Sequence, residues 1–252
     1  MMDLSPAPGG APVSRMVRAQ VTLETKMLLR NGEQLLLTAI IPVVLLVLFA
    51  KVDVIEVDAD KRIDFFAPGI LALAVMSTAF TGQAIATGFE RRYGVLKRLA
   101  VSPLPRWGLL AGKTLSVLVV EALQVVLLGA TAFSLGWSPD GRVAMAVPLL
   151  LVGTAAFSGL GLLMAGTLRA EATLAAANLV YLVLLLGGGM VIPLDKFGGA
   201  QDVLELSPAA ALATGLRDVF TGTDPTPWRA LAILTAWAAA ALAAAATWFR
   251  WD

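Results

Sequence analysis

Six long apolar stretches dominate this chain, at about residues 34–50, 65–89, 114–137, 143–168, 172–192 and 228–249. Between them they hold only two charged residues, Glu121 and Arg229. Crossing about 30 Å of hydrocarbon takes roughly 20 residues at about 1.5 Å each, so each stretch is a candidate membrane span. Hydrophobic residues make up 58% of the chain and charged residues 15%, where soluble domains run about 45–50% and about 25%. A soluble core of this size cannot absorb the excess, and a bilayer can. The pattern predicts an all-α membrane protein with six transmembrane helices, residues 15–252 forming one domain.

The composition also excludes chemistry. There is no Cys and no His, which removes disulfides, Cys/His metal sites and His-assisted nucleophiles; no metal site is expected. A net charge of +1 gives no field that would draw in nucleic acid. Residues 1–14 are rich in Pro and Gly and lack the apolar core of a secretion signal. They read as a disordered cytoplasmic tail.

Lys and Arg set the orientation. With the N-terminus inside, 12 of the 19 fall on the cytoplasmic side and 7 outside. The outer loop 51–64 carries five acids, Asp53, Glu56, Asp58, Asp60 and Asp64. Both termini are therefore expected in the cytoplasm. Trp107, Trp137, Trp228, Trp248 and Trp251 fall near predicted interfaces, as indole rings prefer.

Three segments do not span. In residues 13–30, Val13, Met16, Val17, Val21, Leu23, Met27 and Leu28 share one arc at about 100° per residue. Arg15, Arg18, Lys26 and Arg30 lie opposite. This predicts an amphipathic helix in the inner interface, basic face toward anionic lipid headgroups. Glu24 interrupts the apolar arc, a sign that part of it meets protein. Residues 207–220 begin with Ser-Pro, a helix-start signal, and predict a short helix at the outer interface or partly re-entrant. Residues 88–115 carry basic residues around Leu96, Leu99 and Ala100 at helical spacing, stopped by Pro103 and Pro105. From the residues alone this is either a docking helix for a soluble partner or positive charge that only fixes topology.

The run Glu90-Arg91-Arg92, Gly94, Leu96, Leu99, Ser102-Pro103 and Gly112-Lys113 resembles the cytoplasmic loop of type-2 ABC exporter permeases. Phe65-Phe66-Ala67-Pro68-Gly69 is similar to the Phe-x-x-Pro-Gly that opens the second span in that family. The amphipathic helix before the first span and the Pro-containing segment before the sixth fit the same layout. The resemblance implies a bacterial plasma-membrane permease subunit of an ATP-driven exporter, working with two copies of an ABC ATPase subunit and a second permease, identical or paralogous. It implies that ATP binds the partner and no cofactor binds this chain. Glu90, Arg91, Arg92, Gly94, Lys97, Arg98 and Leu99 would then form the coupling helix that contacts the ATPase. The apolar spans and high Ala content resemble the drug-resistance branch, which implies a hydrophobic or amphipathic substrate.

Gly112-Lys113-Thr114 ends like a phosphate-binding loop, but that motif needs a glycine where Trp107 stands, so no ATP hydrolysis is expected of this chain. Glu121 is an acid well inside a span, where charge costs at least about 2.5–3.5 kcal/mol. With Gln124 it is either a polar point on the substrate path or a packing residue held by hydrogen bonds. Gln83 and Asn178 are either partners for Glu121 or bonded between helices, the second being the simpler reading. Gly187-Gly188-Gly189 permits close helix approach or local unwinding, packing being the simpler reading. An ion-coupled secondary transporter is the competing class; it would call for several membrane carboxylates or an inverted repeat.

Overall fold

The computed structural model describes residues 11–32, 36–52, 57, 61–224 and 226–250, and among these every regular element is helical. The first ten residues of the expected tail, the loop acids Asp53, Glu56, Asp58 and Asp60, and Trp251 lie outside the described residues. Helix α1 spans Val13–Arg30. A π-helical turn, Leu36–Ile40, runs into α2, Ile41–Lys51. Helix α3, Arg62–Val75, continues through a π segment, Met76–Gly82, into α4, Gln83–Arg92. The short α5, Val95–Ala100, precedes the long α6, Arg106–Ser134. Then come α7, Ala146–Thr167, and α8, Ala170–Gly187. The short α9, Gln201–Leu204, leads to α10, Pro208–Thr221, and α11, Trp228–Trp248.

Among the described residues, five helices are long and apolar enough to cross a membrane: Arg62–Arg92, Trp107–Ser134, Val143–Thr167, Ala170–Gly187 and Trp228–Trp248. The first expected span is shorter. Its apolar helix covers Thr38–Lys51, roughly 21 Å at about 1.5 Å per residue. The third span starts earlier than expected, at Arg106, because Pro105 presets the backbone for a first helical turn. Gly112 and Lys113 thus lie inside a helix instead of opening one. The fifth ends at Gly187, short of residue 192. There Gly189 takes φ +64°, and a Cβ on Gly188 would lie 2.7 Å from the Ala209 side chain. The glycine triplet therefore unwinds the chain as well as permitting close packing.

The core gathers around α3, the most buried span. Phe66 and Ile70 are fully enclosed, and Phe66 stacks on Phe49 of α2 at 5.0 Å. Helix α10 packs against α3, α7 and α11. Its start follows the sequence signal: Ser207 Oγ accepts from the Ala210 N–H at 3.1 Å, and Pro208 takes the first turn. Gly69 sits where α3 meets the turn after α8; a Cβ there would lie 2.2 Å from the Met190 carbonyl oxygen. Trp107, Trp228 and Trp248 are exposed. Trp137 is not. It is buried edge-on against Phe220, ring centres 4.9 Å apart, because the α6–α7 loop folds back on the end of α10.

Candidate functional site

The segment between α4 and α6 is a hairpin built by backbone punctuation. Helix α4 closes with Tyr93 N–H on the Phe89 carbonyl and Gly94 N–H on that of Arg91. Gly94 has φ +72°, a left-handed conformation that costs other residues roughly 1–2 kcal/mol. The chain reverses there into α5. At the far end the Ser102 hydroxyl donates to the Leu99 carbonyl at 2.6 Å. Pro103 and Pro105 bar continuation of the helix.

The leucine spacing acquires a physical role. Leu96 is fully buried and clusters with Leu109, Leu162, Ala245 and Phe249, with Leu99 and Leu104 packed alongside. One side of α5 is thus seated on residues at the adjoining ends of α6, α7 and α11. Lys97 and Arg98 point to the opposite, exposed side.

At its base the hairpin is pinned by buried charge. Lys113 is 4% exposed, and its Nζ lies 2.9 Å from Glu24 Oε1 and 2.6 Å from Glu90 Oε2. Gln20 Nε2 donates to the same Glu24 oxygen at 2.7 Å. Three elements meet at one ammonium: α1 through Glu24, the end of α4 through Glu90, and α6. Gly112 allows the approach; a Cβ there would lie 2.8 Å from the Gln20 side chain. Removing Lys113 from this group leaves two facing carboxylates without their cation, which costs about 3–5 kcal/mol.

The structure divides the seven expected coupling residues. Lys97 and Arg98 project outward, and Leu99 seats the hairpin. Glu90 turns inward to Lys113. Arg91 donates to the Leu168 carbonyl, and Arg92 pairs with Glu171, so both reach the turn between α7 and α8. Gly94 makes the reversal, with no atom within 4 Å of where a Cβ would stand.

Glu121 and Gln124 are both 4% exposed but face different neighbours. Glu121 accepts from the Thr154 hydroxyl of α7. It stands among Leu118, Ala122, Val125, Val147, Leu150 and Leu151, which line an apolar groove of about 240 Å³. Gln124 donates to the Thr38 carbonyl and to Thr78 Oγ1 at 3.0 Å, tying α6 to both π-helical turns. Gln83 accepts from Ser158 at 2.7 Å, an interhelical bond as expected. Asn178 instead donates to Leu174 of its own helix at 2.9 Å and is exposed. Among the described residues no acidic cluster suits a metal ion.

The joint role of Gln20, Glu24 and Lys113 was missed in the sequence. Its signal was the acid inside the apolar arc of α1, the one position where a lipid-facing helix has no use for charge.

Residues 17–221, which hold most of α1, the hairpin and the charge cluster, match the family model described as ABC-2 type transporter. The chain belongs to the ABC-2 type transporter family. It is also similar to "Putative transport permease YvfS" of Bacillus subtilis (strain 168), 25% identical over 227 residues that cover 88% of this chain and 92% of that protein. As an ABC-2 permease it is a multi-pass membrane subunit of an ABC transport system. Family membership implies association with an ABC ATPase subunit, with nucleotide hydrolysis on that separate chain.

Proposed function

We propose that this ABC-2 permease is one of two membrane subunits of an ATP-driven exporter in the bacterial plasma membrane, and that α5 is the point at which the ATPase pushes on it. The observation that carries this reading is the pairing of an exposed basic face, Lys97 and Arg98, with a base locked by Lys113 to α1 and α6. A force on α5 then moves three elements together, since the buried charges resist separation. Two ATPase copies and a second permease, identical or paralogous, complete the assembly. The short apolar helix Thr38–Lys51 supplies the sixth crossing, and both termini lie inside, following the charge bias. Substrate passes along apolar walls in which Glu121 is a polar point, which favours a hydrophobic or amphipathic molecule.

The test is co-purification with the cognate ATPase from membranes. Charge reversal by Lys97→Glu with Arg98→Glu should reduce the recovered ATPase at least about tenfold while the permease still inserts. Undiminished recovery refutes α5 as the contact. Transport that persists without any ATPase overturns the exporter reading in favour of ion coupling.

A further inference from the structure

A cavity of about 350 Å³ opens between the end of α4, the α5 hairpin and the start of α8. Four cations line it, Arg91, Arg92, Lys97 and Arg169, against one carboxylate, Glu171. Gly88, Gly94 and Ala170 complete the wall, so no bulky side chain fills the space. Glu171 is taken by Arg92 and Arg91 is held to the Leu168 carbonyl, but Lys97 and Arg169 have no carboxylate partner among the described residues. Glu90, the other acid nearby, is engaged by Lys113. The site is built for an anion.

Its position selects which anion. The residues beyond it on α8 are apolar and exposed, Ala172, Leu174 and Ala175, and α8 is the span least buried within the chain. A basic recess at the end of a helix with an exposed apolar face matches a phosphate whose ester carries acyl chains, the arrangement by which basic pockets between transmembrane helices hold acidic headgroups. We propose that this cavity binds the phosphate of an anionic phospholipid, with the acyl chains along the open face of α8. A bound headgroup would bridge Lys97 on the hairpin to Arg169 on the α7–α8 turn and so steady α5 before any partner arrives. The inference does not depend on the exporter reading.

The test uses the purified full chain without ATPase, delipidated and titrated in native mass spectrometry with phosphatidylglycerol or phosphatidylcholine. Each Lys or Arg near an anionic headgroup contributes about 1 kcal/mol, or roughly fivefold in affinity. Phosphatidylglycerol should therefore be retained with on the order of twentyfold preference. Arg169→Gln, at an exposed and unpaired position, should cut that preference about fivefold, and Lys97→Gln with Arg169→Gln should nearly abolish it. Arg30→Gln removes an inner-side charge away from the cavity and should leave it intact. Equal retention of both lipids, equal loss with Arg30→Gln, or full competition by millimolar inorganic phosphate would each overturn the assignment. Because no ATPase is present, failure here would leave the coupling role of α5 standing.

Discussion

Lys113 is a cation enclosed in protein with a carboxylate on either side, and that arrangement makes its contribution asymmetric. The intact cluster adds little net stability, since three charges lose their hydration for two attractions. Its removal is costly. Lys113→Met should leave the buried Glu24 and the half-buried Glu90 without their cation and destabilise the chain by about 3–5 kcal/mol, read as a lower midpoint of thermal unfolding in detergent. Adding Glu24→Gln and Glu90→Gln should recover most of the loss, because no buried charge then remains. If the triple variant unfolds as early as the single one, packing by the lysine stem and not charge pairing is what matters at this site. Half of this cluster could be read beforehand. Glu24 stood out because a charge within an apolar arc needs a reason, and Glu90 and Lys113 fell on a recognisable pattern. That all three share one contact depends on α1 crossing α6 at Gly112, a tertiary event that no local spacing encodes. The same limit applies to Trp137, whose place near a span end pointed to an interface until the α6–α7 loop buried it.

Helices were the most readable feature, because apolar runs of bilayer length leave few alternatives. Their ends were read less well, since glycine and proline act through backbone geometry that an apolar pattern does not report. Pro105 starts α6 well before the apolar run that opens at about residue 114, and the glycine triplet stops α8 early. Two such positions can be tested directly. Gly94→Ala should strain the reversal by about 1–2 kcal/mol with no steric clash, and loosen α5. Faster tryptic cleavage after Lys97 and Arg98 is the expected readout, with Gly94→Asn close to the parent because Asn tolerates this conformation. Equal cleavage of all three proteins would mean that α5 is held by Leu96 and Leu99 alone. Gly69→Ala acts by collision, its Cβ meeting the Met190 carbonyl. Overpacking of this kind costs about 1–3 kcal/mol and should separate α3 from the turn after α8, lowering the melting midpoint while leaving the hairpin's protease sensitivity unchanged. A variant with parental stability would show that the turn can shift freely.

The proposed machine as a whole requires that the hairpin and α1 lie on one face of the bilayer, with the α9–α10 region on the other. The charge count favours that orientation, but Lys and Arg on both sides make the bias moderate, and what stabilises it is collective. Arg91, Arg92, Lys97, Arg98, Arg106 and Lys113 are concentrated within residues 91–113, so moving that segment outward would carry six cations across the membrane. The absence of cysteine makes the question directly measurable, because a single introduced thiol is the sole target for a maleimide. Arg98→Cys should react in inverted vesicles and stay silent in intact cells toward a membrane-impermeant reagent. Lys196→Cys, in the segment between α8 and α9, should show the reverse. The short apolar helix Thr38–Lys51 gives the pattern a further consequence. If it fails to cross, α1 and the hairpin would stand on opposite sides, which the contact between Glu24 and Lys113 forbids. An introduced thiol at Arg18 should therefore label with the same sidedness as one at Arg98. Opposite labelling of those two positions would refute both the sixth crossing and the charge cluster, and with them the route by which the ATPase moves the bundle.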